Sequence, residues 1–388
     1  MSGWSLEDAI AIAGGPAGPH TCFEALPPQD FDCVAENLQV FNLHLEQIAR
    51  EAVARGAAPP FDWAIALTAS SSLACTVRRL EERYAILVPI GAVARIRMMA
   101  RLLLSYWHVE NPPRVIRSPV DAIEDGTESV PPLLRGLFVE DVDMAELRLG
   151  LLVLDRVIKL DPVFEPDVRE LTHLAVTWLI THEFTHVLHG HFDVLAAAGD
   201  ERRDRLLRGC ELDADDGATA ISLLVMDRAV RMASALGQEA SMDTGLLRLG
   251  YAVTMLLGMF DVVRKHFPAY AHGAYNHPLL RCELFFSAID RAVQEPPEVK
   301  ATFLHSVTEG WKRCIHAYDM LTVEAMAGRF GSLPPGRHPA PLHAMLYGVL
   351  GGPTDTALRG LMAEAGTLLT EIRAQLPAFQ HGGGSEPA

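Results

Sequence analysis

Apolar positions recur with a helical period along most of the chain. They predict helices over 32–55, 93–107, 144–157, 168–189, 201–235, 246–264, 278–294, 300–320 and 357–376. Residues 65–82 also read as largely helical. Tyr84-Ala85-Ile86-Leu87-Val88 differs: this short apolar run, stopped by Pro89 and Gly91, predicts a strand. Gly56-Ala57-Ala58-Pro59-Pro60 closes the first long helix, and residues 111–133 carry enough Pro, Gly and acidic breaks to predict an irregular connection. Asp161 to Pro166 is a turn-rich entry, after which Asp167 is placed as a helix cap with Glu170 in the reciprocal position. Gly190 can end that helix by adopting a left-handed conformation. The fold class expected is α+β, predominantly helical, with a short upstream sheet.

Composition narrows the function classes. The chain has 388 residues, a hydrophobic fraction of 49%, a charged fraction of 21% and a formal net charge of -16. So acidic a surface argues against broad nucleic-acid binding, which needs clustered Lys and Arg, and no nucleic-acid partner is expected. The six cysteines are widely spaced and form no CxxC pair, which favours free thiols in a reducing compartment. The N-terminus lacks a basic segment followed by a long apolar core, so no signal peptide is expected and a cytoplasmic location is. The apolar runs 84–94 and 249–260 are bracketed by charges and fall short of the roughly 20 residues that cross a bilayer. No integral membrane association is therefore expected.

The candidate chemistry is concentrated in two segments. The first is His182-Glu183-Phe184-Thr185-His186, followed by Val187-Leu188-His189-Gly190-His191. On a helix His182 and His186 share one face, one turn apart, so their imidazoles can bind one zinc ion. Glu183 lies beside that face, where it can act as a base towards a water at the metal. The second segment is Glu211-Leu212-Asp213-Ala214-Asp215, where Glu211 is the best third ligand. Asp215, one turn later, can orient a ligand histidine through its other ring nitrogen. Asp213 points elsewhere on an ideal helix and ranks lower. His189 reads as supporting, substrate-facing or simply helix-ending, and His191 follows Gly190, so the helix does not fix its direction. Trp178 reads as structural before cleft-lining, and Cys210 as a buried thiol.

These residues resemble the gluzincin metallopeptidases. HEFTHVLHGH followed by ELDAD is similar to the Ste24/HtpX-like and minigluzincin families, and a weaker resemblance links the HExxH segment to phage-exclusion or stress-regulator peptidases. The resemblance implies a gluzincin-like zinc peptidase core with two metal-binding helices and one zinc ion. Its ligands would be His182, His186 and Glu211, its base Glu183, and its orienting carboxylate Asp215. It also implies that Tyr84–Val88 is an edge strand able to align a substrate backbone. Asn276-His277-Pro278-Leu279-Leu280-Arg281 echoes a further family feature. On it His277 would stabilise the oxyanion, and Arg281 would organise the site or bind a substrate carboxylate. Tyr270 and Tyr275 are alternative oxyanion donors.

The expected organisation is an N-terminal helical extension (1–60) and a peptidase core (61–290) carrying an insertion at 111–165. A C-terminal helical region (291–379) and a disordered tail (380–388) follow. The expected activity is endopeptidase cleavage of restricted protein or peptide substrates. A catalytically silent, metal-stabilised interaction module and an aminopeptidase are the alternatives.

Overall fold

The computed structural model describes residues 5–17, 28–58, 60–80, 83–108, 128–138, 142–237, 239–266, 276, 278–339 and 355–376. His277, Tyr270, Tyr275, the greater part of 111–133 and the tail at 380–388 lie outside these residues.

Helices dominate, as the apolar periodicity predicts. They are α1 (Leu6–Ile12), α2 (Pro28–Ala54), α3 (Ile90–Leu104), α4 (Arg135–Phe138), α5 (Met144–Val157) and α6 (Glu165–Leu188). After these come α7 (His191–Ala197), α8 (Asp200–Ala235), α9 (Met242–His266), α10 (Pro278–Ala292), α11 (Pro297–Met326) and α12 (Asp355–Arg373). A three-stranded sheet precedes α3, made of β1 (Asp62–Thr68), β2 (Thr76–Arg79) and β3 (Arg83–Pro89) in the order β1-β3-β2. A second, two-stranded pairing joins β4 (Glu128–Ser129) to β5 (His338–Pro339).

The helix expected over 65–82 is replaced by β1, a serine-rich turn and β2. Two features of the sequence account for this. Ser70, Ser71 and Ser72 offer side-chain oxygens that compete for backbone hydrogen bonds: Ser70 Oγ accepts from Ser72 N at 3.2 Å, and Ser72 Oγ from Ala74 N at 3.2 Å. Cys75 and Val77 then alternate with the polar Thr76 and Arg78, which is the period of a strand. The edge-strand expectation is corrected as well. Tyr84–Val88 lies in β3, paired in parallel with β1 and antiparallel with β2, so it is central; the edges are β1 and β2, and β2 is the one that borders the cleft.

Helix α6 is buried on nearly all sides, including Val168, Leu171, Ala175, Trp178, Ile180 and Phe184, as expected of a helix at the centre of a domain. Its neighbours include α3, α8 and α9. The expected Asp167–Glu170 cap does not form. Pro162–Phe164 makes a 3-10 turn into α6, Phe164 holds the N-cap position, and Asp167 lies inside the first turn. Asp167 and Glu170 instead bind Arg248 of α9, the former at 2.7 Å. At the other end Gly190 has φ +78°, and the chain turns directly into α7. Helix α8 is continuous through Gly217. A Cβ there would sit 2.4 Å from Thr185 Cγ2, so glycine permits α8 to approach α6 closely.

Helix α9 is long and apolar enough over Met242–Val263 to cross a membrane by length and composition, which corrects the expectation that no segment reaches that size. In this structure 83% of its apolar window is buried against the rest of the protein. The cysteines Cys75, Cys210, Cys282 and Cys314 are free and buried.

Candidate metal centre

Helices α6 and α8 pack against each other and bring three donor side chains to one point. His182 Nε2 lies 3.2 Å from His186 Nε2 and 3.3 Å from Glu211 Oε2, and His186 Nε2 lies 3.5 Å from Glu211 Oε1. Zinc bonds to histidine and carboxylate of about 2.0–2.1 Å place tetrahedral ligands about 3.3 Å apart. The three separations fit that triangle, and two imidazoles with one carboxylate are a donor set suited to zinc. The ligand set expected from helical spacing thus assembles in space.

A second layer fixes the direction of each ring. His182 Nδ1 is 2.9 Å from Asp215 Oδ1, and Asp215 is clamped by Arg281 through Nε–Oδ2 and Nη2–Oδ1 contacts of 2.7 Å each. Burial would raise the Asp215 carboxyl, but the Arg281 guanidinium and His182 hold it below its ordinary range. Asp215 is thus an anionic acceptor, and the His182 Nδ1 proton belongs to that bond. Nε2 is left as the nitrogen that faces His186 and Glu211. Burial opposes charge on His182, yet its hydrogen bonds to Asp215 and Glu211 push it upward, while the same partnership holds Glu211 down. A metal entering the site competes with the proton on His182 Nε2.

His186 is oriented from the other side. Its Nδ1 lies 2.7 Å from His191 Nδ1, and His191 Nε2 lies 3.1 Å from Asp213 Oδ2. Burial pushes His186 well below its usual value and lowers His191 too, so both rings are neutral. Asp213 is fully buried and receives Arg373 Nε at 2.7 Å and His189 Nδ1 at 2.6 Å. Burial works against its charge, but His189 and His191 hold it well below the carboxylate range. The proton assignment follows from the network: His191 Nε2–H donates to Asp213, so His191 Nδ1 accepts from His186 Nδ1–H. His186 Nε2 then carries a lone pair aimed at Glu211 and His182. His189, His191 and Asp213 are also compact enough to resemble a second metal group. Asp213 already neutralises Arg373, and the trio reads as support for His186.

Glu183 lines a cleft of about 280 Å³ that opens onto the three donors. Burial pushes its carboxyl up to about 7, with the negative charge of Glu211 adding to the rise. His182, a backbone hydrogen bond from Val77 and the charge of Arg281 oppose it. Cys75, Thr76 and Val77, at the edge of the sheet, form one wall, and Phe192 and Leu195 of α7 also line the cleft. Arg79–Asp193 at 2.6 Å and Tyr84–Phe192 at 5.3 Å between ring centroids tie this sheet to α7.

The remaining candidate residues fall as follows. Arg281 lines the cleft and binds Asp215, with its guanidinium 5.7 Å from the Trp178 ring centroid and 5.5 Å from that of Phe260. Trp178 is 1% exposed, tilted against His182 at 5.9 Å, and sits in the main core. His189 holds Asp213 and does not enter the donor triangle. Cys210 is buried among Leu206, Ile372 and Leu376. Sequence reasoning left the role of His191 open, ranked Asp213 lower and did not single out Arg373. Only the crowding of His189, Gly190 and His191 beside the motif signalled the first. No family model, curated protein or solved structure matches this chain.

Proposed function

We propose that this protein is a zinc-dependent peptidase of gluzincin type that cleaves internal peptide bonds. One observation carries the reading: the orienting contacts of Asp215 and His191 aim two imidazole Nε2 atoms at the Glu211 carboxylate, with Glu183 beside them in a cleft. His182, His186 and Glu211 would hold the ion, which when bound supplies Lewis acidity to a substrate carbonyl. Glu183 accepts the proton of the attacking water on its carboxylate and delivers it to the departing amine. A carboxyl raised towards 7 is well placed for both transfers, since it is neither a very weak nor a very strong base at neutral pH. Asp215, kept ionised by Arg281, holds His182 in one tautomer throughout.

The edge strand β2 supports a peptide as the substrate class. It lines the cleft, and an extended peptide laid along its outer edge would carry its backbone past Glu183. Phe192 and Leu195 make part of the lining apolar. Proteins or peptides are therefore the expected partners.

The test is a screen of zinc-loaded protein against a peptide library, half of it acetylated at the N-terminus, read by mass spectrometry at several pH values. Internal cleavage of acetylated peptides is expected. Cleavage confined to free N-termini would replace the reading with an aminopeptidase, and no cleavage of any peptide would contradict it. Turnover is expected to fall as pH drops through the Glu183 pKa, because the base is lost on protonation. Bound cation favours the carboxylate, so that acid limb lies no higher than about 7. Turnover that grows on acidification would rule out Glu183 as the base.

A further inference from the structure

Helix α12 packs on the metal-bearing helix α8 through two small apolar clusters distinct from the main core. Ala365, Leu368 and Leu369 meet Leu212, Leu280 and Leu284, while Ile372 and Leu376 meet Leu206 and Cys210. Ion pairs flank these clusters: Glu371 with Arg205 at 2.7 Å and Arg202 at 3.3 Å, and Glu364 with Arg208 at 3.0 Å. One contact from this helix reaches inward. Arg373 Nε sits 2.7 Å from Asp213 Oδ1, and its Nη2 binds Asp216. From Asp213 the chain of contacts continues to His191 at 3.1 Å and from His191 to His186 at 2.7 Å.

We propose that Arg373 is a positioning residue for the metal centre, acting through Asp213, 160 residues upstream in the chain, so that docking of α12 sets the zinc affinity. The proposal rests on the zinc-site reading above and adds its control by the C-terminal helix. The physical argument concerns a buried anion. Asp213 is 0% exposed, and its Oδ1 is the oxygen that Arg373 holds, while Oδ2 serves His189 and His191. Removing the guanidinium leaves Oδ1 without that donor in a low-dielectric site, and the Asp213 carboxylate must shift to regain a partner. That shift moves the acceptor that holds the His191 ring, and so the direction of the His186 lone pair. A hydrogen bond made directly to a ligand histidine, as His191 makes to His186, is worth about 10–100-fold in metal affinity, which bounds what Arg373 can exert through it. Coupling is reciprocal, so zinc must in turn hold α12 more firmly.

The test measures zinc affinity of the full-length protein by competition with a fluorescent chelator, for wild type, Arg373→Met, Arg373→Lys, Arg205→Met, Asp213→Asn and the Arg373→Met/Asp213→Asn pair. Folding is followed by circular dichroism. Arg373→Met should bind zinc more weakly, by up to about 10–100-fold, and Arg373→Lys should recover part of the loss. Arg205→Met breaks an exposed ion pair with the same helix that is not part of the Asp213–His191–His186 chain, and should leave the affinity within about fivefold, the most an exposed ion pair contributes. The double variant should be no weaker than Asp213→Asn alone. Zinc should also slow amide exchange in α12 of the wild type. A folded Arg373→Met with wild-type affinity, or losses that add in the double variant, would overturn the proposal. If Arg373→Met does not fold, Arg373→Lys decides: reduced affinity with an unchanged spectrum supports it, and unchanged affinity overturns it. A wild type that binds no zinc would overturn the metal-centre reading itself, which the wild-type titration reveals on its own.

Discussion

Replacing Glu183 by glutamine is expected to lower kcat by about 10²–10⁴-fold while the protein still carries one zinc ion per chain. Glutamine keeps the size and one hydrogen-bonding oxygen of the side chain, so the walls of the cleft stay in place. What it lacks is a carboxylate that can take a proton. The donor triangle of His182, His186 and Glu211 does not include Glu183, so metal content should not follow activity. Single-turnover kinetics on a peptide found in the screen, paired with elemental analysis of the same sample, separates the two quantities. Turnover within tenfold of wild type would remove Glu183 from the mechanism. Loss of zinc together with activity would mean that its carboxylate belongs to the metal site.

The second large effect concerns stability. Asp215→Ala should destabilise the metal-free protein by about 3–5 kcal/mol, the cost of breaking a buried charge pair on one side. Arg281 and His182 both turn towards Asp215, whose side chain is 2% exposed, and their own side chains are only 10% and 7% exposed. The variant also leaves His182 Nδ1 without its acceptor, so the ring is no longer held with Nε2 towards Glu211, and zinc affinity should fall with stability. Urea unfolding in the presence of a chelator measures the first effect and chelator competition the second. A change below about 1 kcal/mol, the level of an exposed ion pair, would show that the Asp215–Arg281 pair is not the buried clamp described.

The parts of this site that the sequence disclosed are those governed by local helical geometry. Four-residue spacing puts His182 over His186 and Glu211 over Asp215 in any helix, so each half of the donor set is legible before the two helices are docked. The expectation that Asp213 points away from the ligand face also matches the structure, since it joins neither His182 nor Glu211. What helical spacing could not provide was what Asp213 points towards. His191 depends on the left-handed turn at Gly190, and Arg373 arrives from a helix 160 residues downstream. Contacts of that kind come from tertiary packing and leave no periodic trace in the chain.

The sheet is hard to read for a related reason. In residues 65–82 a short stretch of period-two alternation is interrupted by serines, and over so few residues an apolar pattern fits a helix or a strand about equally well. Pairing with β3 decides the matter, and with it the identity of the edge that lines the cleft. The long helices are easier, because several turns of consistent periodicity leave one reading. Even there, the entry to α6 departs from expectation: Asp167 and Glu170 have the right spacing for a cap, but Arg248 supplies a stronger partner for both.

Everything else depends on His182, His186 and Glu211 forming one metal site. X-ray absorption at the zinc edge of the loaded full-length protein tests this most directly. The predicted spectrum has nitrogen and oxygen neighbours at about 2.0–2.1 Å, with the outer-shell scattering of two imidazole rings, and the ring signal drops when His186 is changed to alanine. A sulfur shell at about 2.3 Å, or a spectrum unchanged by that substitution, would place the metal elsewhere and contradict the assignment.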